Sequence, residues 1–261
     1  MTTTSARQLT TESAIICSMA GFASVRNFMR PCGFEAVDDG IWVVADPPST
    51  SKLPGRTTEF VTYRVGADRV FEAAHGRSYS KYFICAFVEN DQEASATIVE
   101  YKAAGCRLMR REPFFVVNTY EAIDYPSDNV RRVTTQDAAE AVGKAARAKQ
   151  ILHEHVSEDD SLCRLYAAYA EPYENGSDGT PIGWVRSIKT SPTTAYVAGL
   201  FVSEQHRRKG LGRALMSAML KDDRRLGIEW SVLLASSAGA QLYPHLGYKV
   251  RGKLILFSAP K

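Results

Sequence analysis

The chain has 261 residues, 45% of them hydrophobic, and a formal net charge of +3. That length and apolar content suffice for two cored domains, at the usual ~100–200 residues per domain, and so slight a charge argues against a nucleic-acid partner. Five cysteines (Cys17, Cys32, Cys85, Cys106, Cys163) are scattered with no Cys-x-x-Cys pair, so neither a zinc site nor a disulfide framework is indicated, and a reducing cytoplasm is the expected setting.

The Thr/Ser-rich opening, residues 1–13, reads as a loose tail. Residues 14–22 are apolar but short, interrupted by Cys17 and Ser18, and lack a strongly basic leader. They suit neither a signal peptide nor a membrane span, and no membrane partner is expected. Turn and strand material follows at 33–34, 40–44 and 59–65. Residues 82–88 read as a strand entering a helix that passes Tyr101 and ends at Gly105, and 113–117 as a closing strand.

In the second half the predicted order is a strand at 130–133, an alanine-rich helix over 135–152, and an alternating strand at 162–170. A turn at 174–180 leads to its hairpin partner at 182–188. Beyond Pro192, residues 196–202 form a buried strand. Residues 213–225 carry Leu215, Met216, Met219 and Leu220 at helical spacing. A strand at 231–235, a short helix over 236–246 and a terminal strand at 254–257 complete the chain. Residues 96–106 echo 238–248 without a gap, Tyr101 preceding Gly105 as Tyr243 precedes Gly247. Either the first half is a degenerate copy of the second, or two helices merely end in glycine, as helices commonly do.

Between the strand at 196–202 and the helix at 213–225 lies Arg207-Arg208-Lys209-Gly210-Leu211-Gly212. Strand, basic glycine-containing turn, then helix is a way to hold a pyrophosphate. Free N–H groups and the dipole at a helix start favour an anion, and glycines let the backbone approach it. Arg207, Arg208, Lys209 and Arg213 add cationic donors. The turn is neither a P-loop nor a dinucleotide fingerprint, since Gly210 and Gly212 stand alone.

The segment resembles the Arg/Gln-x-x-Gly-x-Gly/Ala signature of the GNAT superfamily, the acyl-CoA-dependent N-acyltransferases. About thirty residues on, Leu242-Tyr243 followed by Gly247-Tyr248 resembles that family's Leu-Tyr-x-x-x-Gly-Phe/Tyr. The resemblance covers residues 129–261 and implies an α/β fold with a mixed central sheet flanked by helices. With the echo, it implies a tandem of two such domains: a degenerate one at 14–128 and a catalytic one at 129–261. The first lacks the glycine turn and is not expected to bind CoA.

By this resemblance the reaction is attack of a primary amine on the thioester of acetyl-CoA. Backbone groups of Leu200, Phe201 and Val202 would hold the pantetheine arm and polarise the carbonyl, with Gly199 easing a bulge. The turn, Arg207 through Arg213 with Gly210, Leu211 and Gly212, would hold the pyrophosphate. Tyr243 would protonate the leaving thiolate, or else merely pack under the acyl chain. The sequence departs from the family at Ser236, where many relatives carry Asn, and at Gly239, where they carry Ala. Ser236 can still cap and hydrogen-bond the cofactor. No carboxylate lies in 193–202 to serve as base, which leaves water, Glu204, His153, Glu154 or His155.

The acceptor cleft would lie between the first-helix region and residues 184–188. There Arg186 and Lys189 suit a carboxylate, and a small amine or amino-acid-like acceptor is preferred. A homodimer is an open option. Rival readings are an acyl-CoA-binding regulatory or scaffold module without catalysis, and salt-sensitive nucleic-acid binding through the 207–213 cluster, which the modest charge disfavours.

Overall fold

The computed structural model describes residues 8–47, 56–77, 81–157, 160–170 and 179–260. In the first half these form α1 (Thr11–Asn27), β1 (Gly33–Asp38), β2 (Ile41–Ala45), β3 (Thr58–Tyr63), α2 (Ala67–Gly76), β4 (Tyr82–Val88), α3 (Asp91–Ala103) and β5 (Arg107–Asn118). The second half supplies β6 (Val130–Arg132), α4 (Gln136–Ala146), β7 (Cys163–Tyr169), β8 (Pro181–Lys189), β9 (Thr194–Val202), α5 (Leu211–Arg225), β10 (Trp230–Leu234) and β11 (Lys249–Ser258).

Three local expectations need correcting. Residues 11–13 are not tail: Thr10 accepts the Ser13 N–H at 3.1 Å and caps α1. The alanine-rich helix is shorter than expected, because Arg147 takes a left-handed conformation (φ 53°) and ends α4 there. The expected helix over 236–246 is a run of turns ending in a 3-10 turn, Tyr243–Leu246, with Gly247 at φ 89°. Most of the expected turn at 174–180 lies outside the described residues.

Among the described residues the strands form one eleven-stranded sheet, ordered β1-β2-β3-β4-β11-β5-β10-β9-β8-β7-β6. Its centre is an exchange. The last strand of each half crosses over: β11 pairs with β4, and β5 pairs with β10. β5 and β11 then pair with each other antiparallel, from Lys249 opposite Val116 to Ser258 opposite Arg107. An internal two-fold runs through this pair. It relates Tyr101, stacked on Phe257 of β11 at 4.8 Å, to Tyr243, packed on Phe115 of β5 at 5.5 Å. The Cys106 N–H donates to the Tyr101 carbonyl (2.9 Å) as the Tyr248 N–H donates to that of Tyr243 (3.2 Å).

Residues 129–261 are therefore not closed on themselves, since β10 is completed by a strand from the first half. A second link is α1, which packs on β9. A Cβ at Gly21 would overlap the Tyr196 side chain, so only glycine permits this approach. One core consequently runs under α1 and α4 through both halves, from Val44, Val61 and Cys85 to Leu165, Trp184 and Val232. On the opposite face, the first half packs Val70 and Ile98 of its helices over Phe60 and Ile84. There the second half packs Leu215 and Met219 of α5 over Val185 and Val197.

Candidate active site

β9 begins as an ordinary central strand and then leaves its neighbour. Thr194, Ala195 and Tyr196 pair with Trp230, Ser231 and Val232 of β10, and the pairing stops there. On its opposite edge β10 stays paired with β5 throughout, through to Leu233 opposite Phe115 and Leu234 opposite Phe114. On its other side β9 carries an irregularity against β8, between the pairs Arg186–Ala198 and Trp184–Phe201. Gly199, at φ 64°, sits in this bulge. Past it Leu200 and Val202 are half-buried and Phe201, stacked on Trp184 at 4.4 Å, is 39% exposed. A strand with one free edge in the middle of a sheet is the result.

The glycine turn follows. Ser203 hydrogen-bonds the Ile182 carbonyl through its N–H (2.8 Å), a 3-10 turn spans Glu204–His206, and Gly210, at φ 85°, starts α5. The first bond into the helix is from Ala214 N–H to the Gly210 carbonyl (3.0 Å), and no side chain caps the start. The amides of Leu211, Gly212 and Arg213 thus precede the helical ladder. Arg208 and Lys209 are exposed. Arg207 Nε donates to the Val202 carbonyl at 3.0 Å, tying the turn to the strand end, and the Arg213 guanidinium lies over the Tyr125 ring at 4.8 Å.

Gly212 meets the Tyr243 segment closely, for a Cβ there would stand 3.3 Å from Leu242 Cδ2. Ser236 Oγ accepts the Gly239 N–H at 3.2 Å, and Gly239 faces the Tyr243 ring. Tyr243 is 7% exposed, set between Phe115 and Tyr248, and burial pushes its phenol up to about 12. The end of β9, the turn, Ser236 and Tyr243 are in this way joined in one region through direct contacts.

The other candidates separate. Glu204 is an exposed residue of the turn itself. His153 and Glu154 are exposed and His155 half-buried on a 3-10 turn beyond α4, where the His153 carbonyl accepts from Gln136. Lys189 is already paired with Asp160. Arg186 makes no ion pair among the described residues: it is 8% exposed, with a buried Nε that has no hydrogen-bond partner among them.

Sequence reasoning missed what the first half brings here. Phe28, at the end of α1, lies 5.5 Å from the Arg186 guanidinium. Glu112 of β5, partly exposed and paired with Arg110 at 2.8 Å, lies beyond the last paired residue of β10 and acts electrostatically on Tyr196, whose phenol is raised by burial and then by that carboxylate. Nothing local marks either residue, because strand exchange is a long-range event.

The related region of the first half is closed. All of β3, from Thr58 to Tyr63, pairs with β4, so no edge is free. The start of α2 is occupied by the chain's own carboxylate, Glu100 Oε1 accepting the Ala67 N–H at 2.6 Å. That is where an anion would sit.

Residues 161–250 match the family model described as acetyltransferase (GNAT) domain. No curated protein sequence matches the chain. Among solved structures, a GCN5-related N-acetyltransferase from Kribbella flavida superposes with a TM-score of 0.62 at 15% identity, covering 95% of this chain and 96% of the other. One from Sphaerobacter thermophilus gives 0.51 at 15% identity over 94% and 91%. A tandem GNAT protein from the clavulanic acid biosynthesis pathway gives 0.53 at 15% identity over 84% and 78%. At such identities these likenesses concern the fold. The segment that matches the acetyltransferase (GNAT) domain contains both the glycine turn and Tyr243, and the chain as a whole has the fold of tandem GNAT proteins, with a degenerate copy preceding that segment in the same sheet.

Proposed function

We propose that the second half transfers an acetyl group from acetyl-CoA to the primary amine of a small, amino-acid-like acceptor in a ternary complex. The observation that carries this reading is the parting of β9 from β10 beside the uncapped start of α5. The free edge at Leu200, Phe201 and Val202 supplies backbone groups for the pantetheine amides and a donor for the thioester oxygen. The amides of Leu211, Gly212 and Arg213, with Arg208 and Lys209, receive the pyrophosphate, and Ser236 lies within reach of the same arm.

The neutral amine adds to the thioester carbon, the C–S bond breaks, and the sulfur leaves as thiolate. Tyr243 donates its proton to that sulfur and regains one from solvent. The thioester sulfur becomes basic only as the C–S bond breaks, so donation accompanies cleavage; with the phenol at about 12 against about 8.5 for a free thiol, the transfer is uphill and is drawn forward as Tyr243 regains its proton from solvent. The ammonium proton leaves to water or to Glu112, which we put in place of His153, Glu154, His155 and Glu204. Glu112→Gln should lower kcat about tenfold or more, whereas Glu204→Gln and His153→Ala should leave it unchanged.

Calorimetric titration with acetyl-CoA tests the reading first. The native chain should bind and an Arg207→Ala/Gly210→Asp double variant should not. A chain that binds acetyl-CoA yet acetylates no amine, and is indifferent to Tyr243→Phe, would instead be an acyl-CoA-binding regulatory module.

A further inference from the structure

The geometry points to Arg186 as the receptor for a carboxylate on the acceptor, which makes the acceptor an amino acid or a close derivative rather than a plain amine. This rests on the acetyl-transfer reading above. Arg186 makes no ion pair among the described residues, and its polar contact is a long one, Nη1 to the Gln150 carbonyl at 3.5 Å. The ionisable groups beside it are Cys163 and Tyr196, both raised by burial and so neutral at physiological pH. Burial also pulls the guanidinium's own pKa down, but an arginine does not shed its proton in a protein. Among the described residues the other buried arginine differs in its charge partners: Arg164 also has a buried Nε without a hydrogen bond, but its guanidinium is held by Asp223 at 2.6 Å, Asp160 at 3.0 Å and Ser187 at 3.1 Å.

An isolated buried charge is costly unless something arrives to neutralise it. The position of Arg186 indicates what arrives. Its Nη2 lies against Gly199, where a Cβ would overlap it, so the guanidinium reaches the bulge directly before Leu200. Gly199 is exposed, which opens this point to solvent. Phe28 and Tyr196, beside it, belong to or pack against the core under α1, whereas α5 and the glycine turn lie on the other face. An anion on Arg186 is therefore not the cofactor's pyrophosphate. A guanidinium fork takes both oxygens of a carboxylate side by side, which would leave a nearby amine directed at the thioester. A carboxylate on the donor's acyl chain, as in succinyl-CoA, is the other source of the same chemistry.

The test compares the native chain with Arg186→Met and Arg186→Lys, using acetyl-CoA and the matched acceptors phenylalanine and phenethylamine, then 4-aminobutyrate and butylamine. The acid of at least one pair should be preferred by about tenfold or more in kcat/KM, mostly through KM. Arg186→Met should abolish that preference, leave acetyl-CoA affinity unchanged, and melt at a higher temperature than the native chain. Arg186→Lys should retain part of the preference. A native enzyme that treats acids and amines alike overturns the proposal. So does an Arg186→Met variant that loses stability and acetyl-CoA binding together, since that marks a structural arginine. Loss confined to succinyl-CoA turnover places the carboxylate on the donor and overturns the acceptor assignment. Calorimetry with N-acetylphenylalanine alone separates the two readings. Arg186-dependent binding without any acetyl-CoA binding would sink acetyl transfer and sustain the carboxylate site, while absence of that binding in an active enzyme would count against the site.

Discussion

Tyr243 shows how much of a residue's chemistry depends on its wall. Its phenol, ordinarily at 10.0, is pushed up to about 12 by burial between Phe115 and Tyr248, so it stays protonated over the whole physiological range. Tyr243→Phe should reduce kcat by about 100-fold or more while acetyl-CoA affinity holds, as steady-state kinetics and calorimetry would show. The same shift fixes a sign. Between pH 10 and about 12 the folded chain keeps a proton that the unfolded chain has lost, so this group's contribution, complete below pH 10, disappears as pH rises through that window. Alkaline melting curves should accordingly fall less steeply there for Tyr243→Phe than for the native chain. The 207–213 turn and the Leu242–Tyr248 segment could be singled out in the sequence because each is a short contiguous pattern, whereas the contacts that join them, such as Gly212 with Leu242 and Tyr243 with Phe115, could not. Arg186 and Lys189 were not distinguishable that way. Among the described residues Arg186 has no ion-pair partner while Lys189 is bound to Asp160, a difference set by how β7, β8 and the 160 region pack.

At the scale of elements, α5 must be held at a fixed height for its first amides to meet a ligand. The anchor is buried: Asp223 accepts from Arg164 at 2.6 Å and Ser187 at 2.7 Å, and Asp222 accepts from Tyr166 at 2.6 Å. Burial raises the Asp223 carboxyl, and Arg164 opposes that rise. Asp223→Ala should cost about 3–5 kcal/mol in denaturant unfolding, because it removes the buried charge partner of Arg164 and leaves it only the partly exposed Asp160, and a paired Arg164→Met/Asp223→Leu change should recover much of the loss. The order and kind of most elements could be read from apolar runs and turns. The strands at 163–169, 181–189 and 194–202 and the helix α5 fall within a few residues of expectation. α1 was missed because Ser18 and Gly21 occupy buried positions, so no one-sided apolar stripe marks it. The 236–246 segment fails as a helix because Gly239 and Pro244 interrupt it.

At the scale of the molecule, the sheet order has no counterpart in any local pattern. Pairing β5 with β10 and β11 with β4 joins residues more than a hundred positions apart, and periodicity carries no such information. The exchange makes a strong prediction. Residues 129–261 expressed alone lack β5, which pairs with both β10 and β11, and leave β11 without β4 as well, so the fragment should be insoluble or unfolded by circular dichroism, and coexpression with residues 1–128 should rescue it. The full chain should bind one acetyl-CoA, since Glu100 fills the start of α2 and β3 stays zipped to β4. A calorimetric stoichiometry of two would overturn that account.

The crossing of the final strands also bears on how such a gene can change. A duplicate relieved of its chemistry is ordinarily free to erode until it is deleted. Here deletion would take Phe115 from beside Tyr243, the proposed proton donor, and Phe28 from beside the buried guanidinium, so selection on the reaction proposed for the second half would reach into the first. On this reading the degenerate copy is free to lose a ligand but not its shape, and inactivating mutations should be found far upstream of the residues proposed to touch acetyl-CoA.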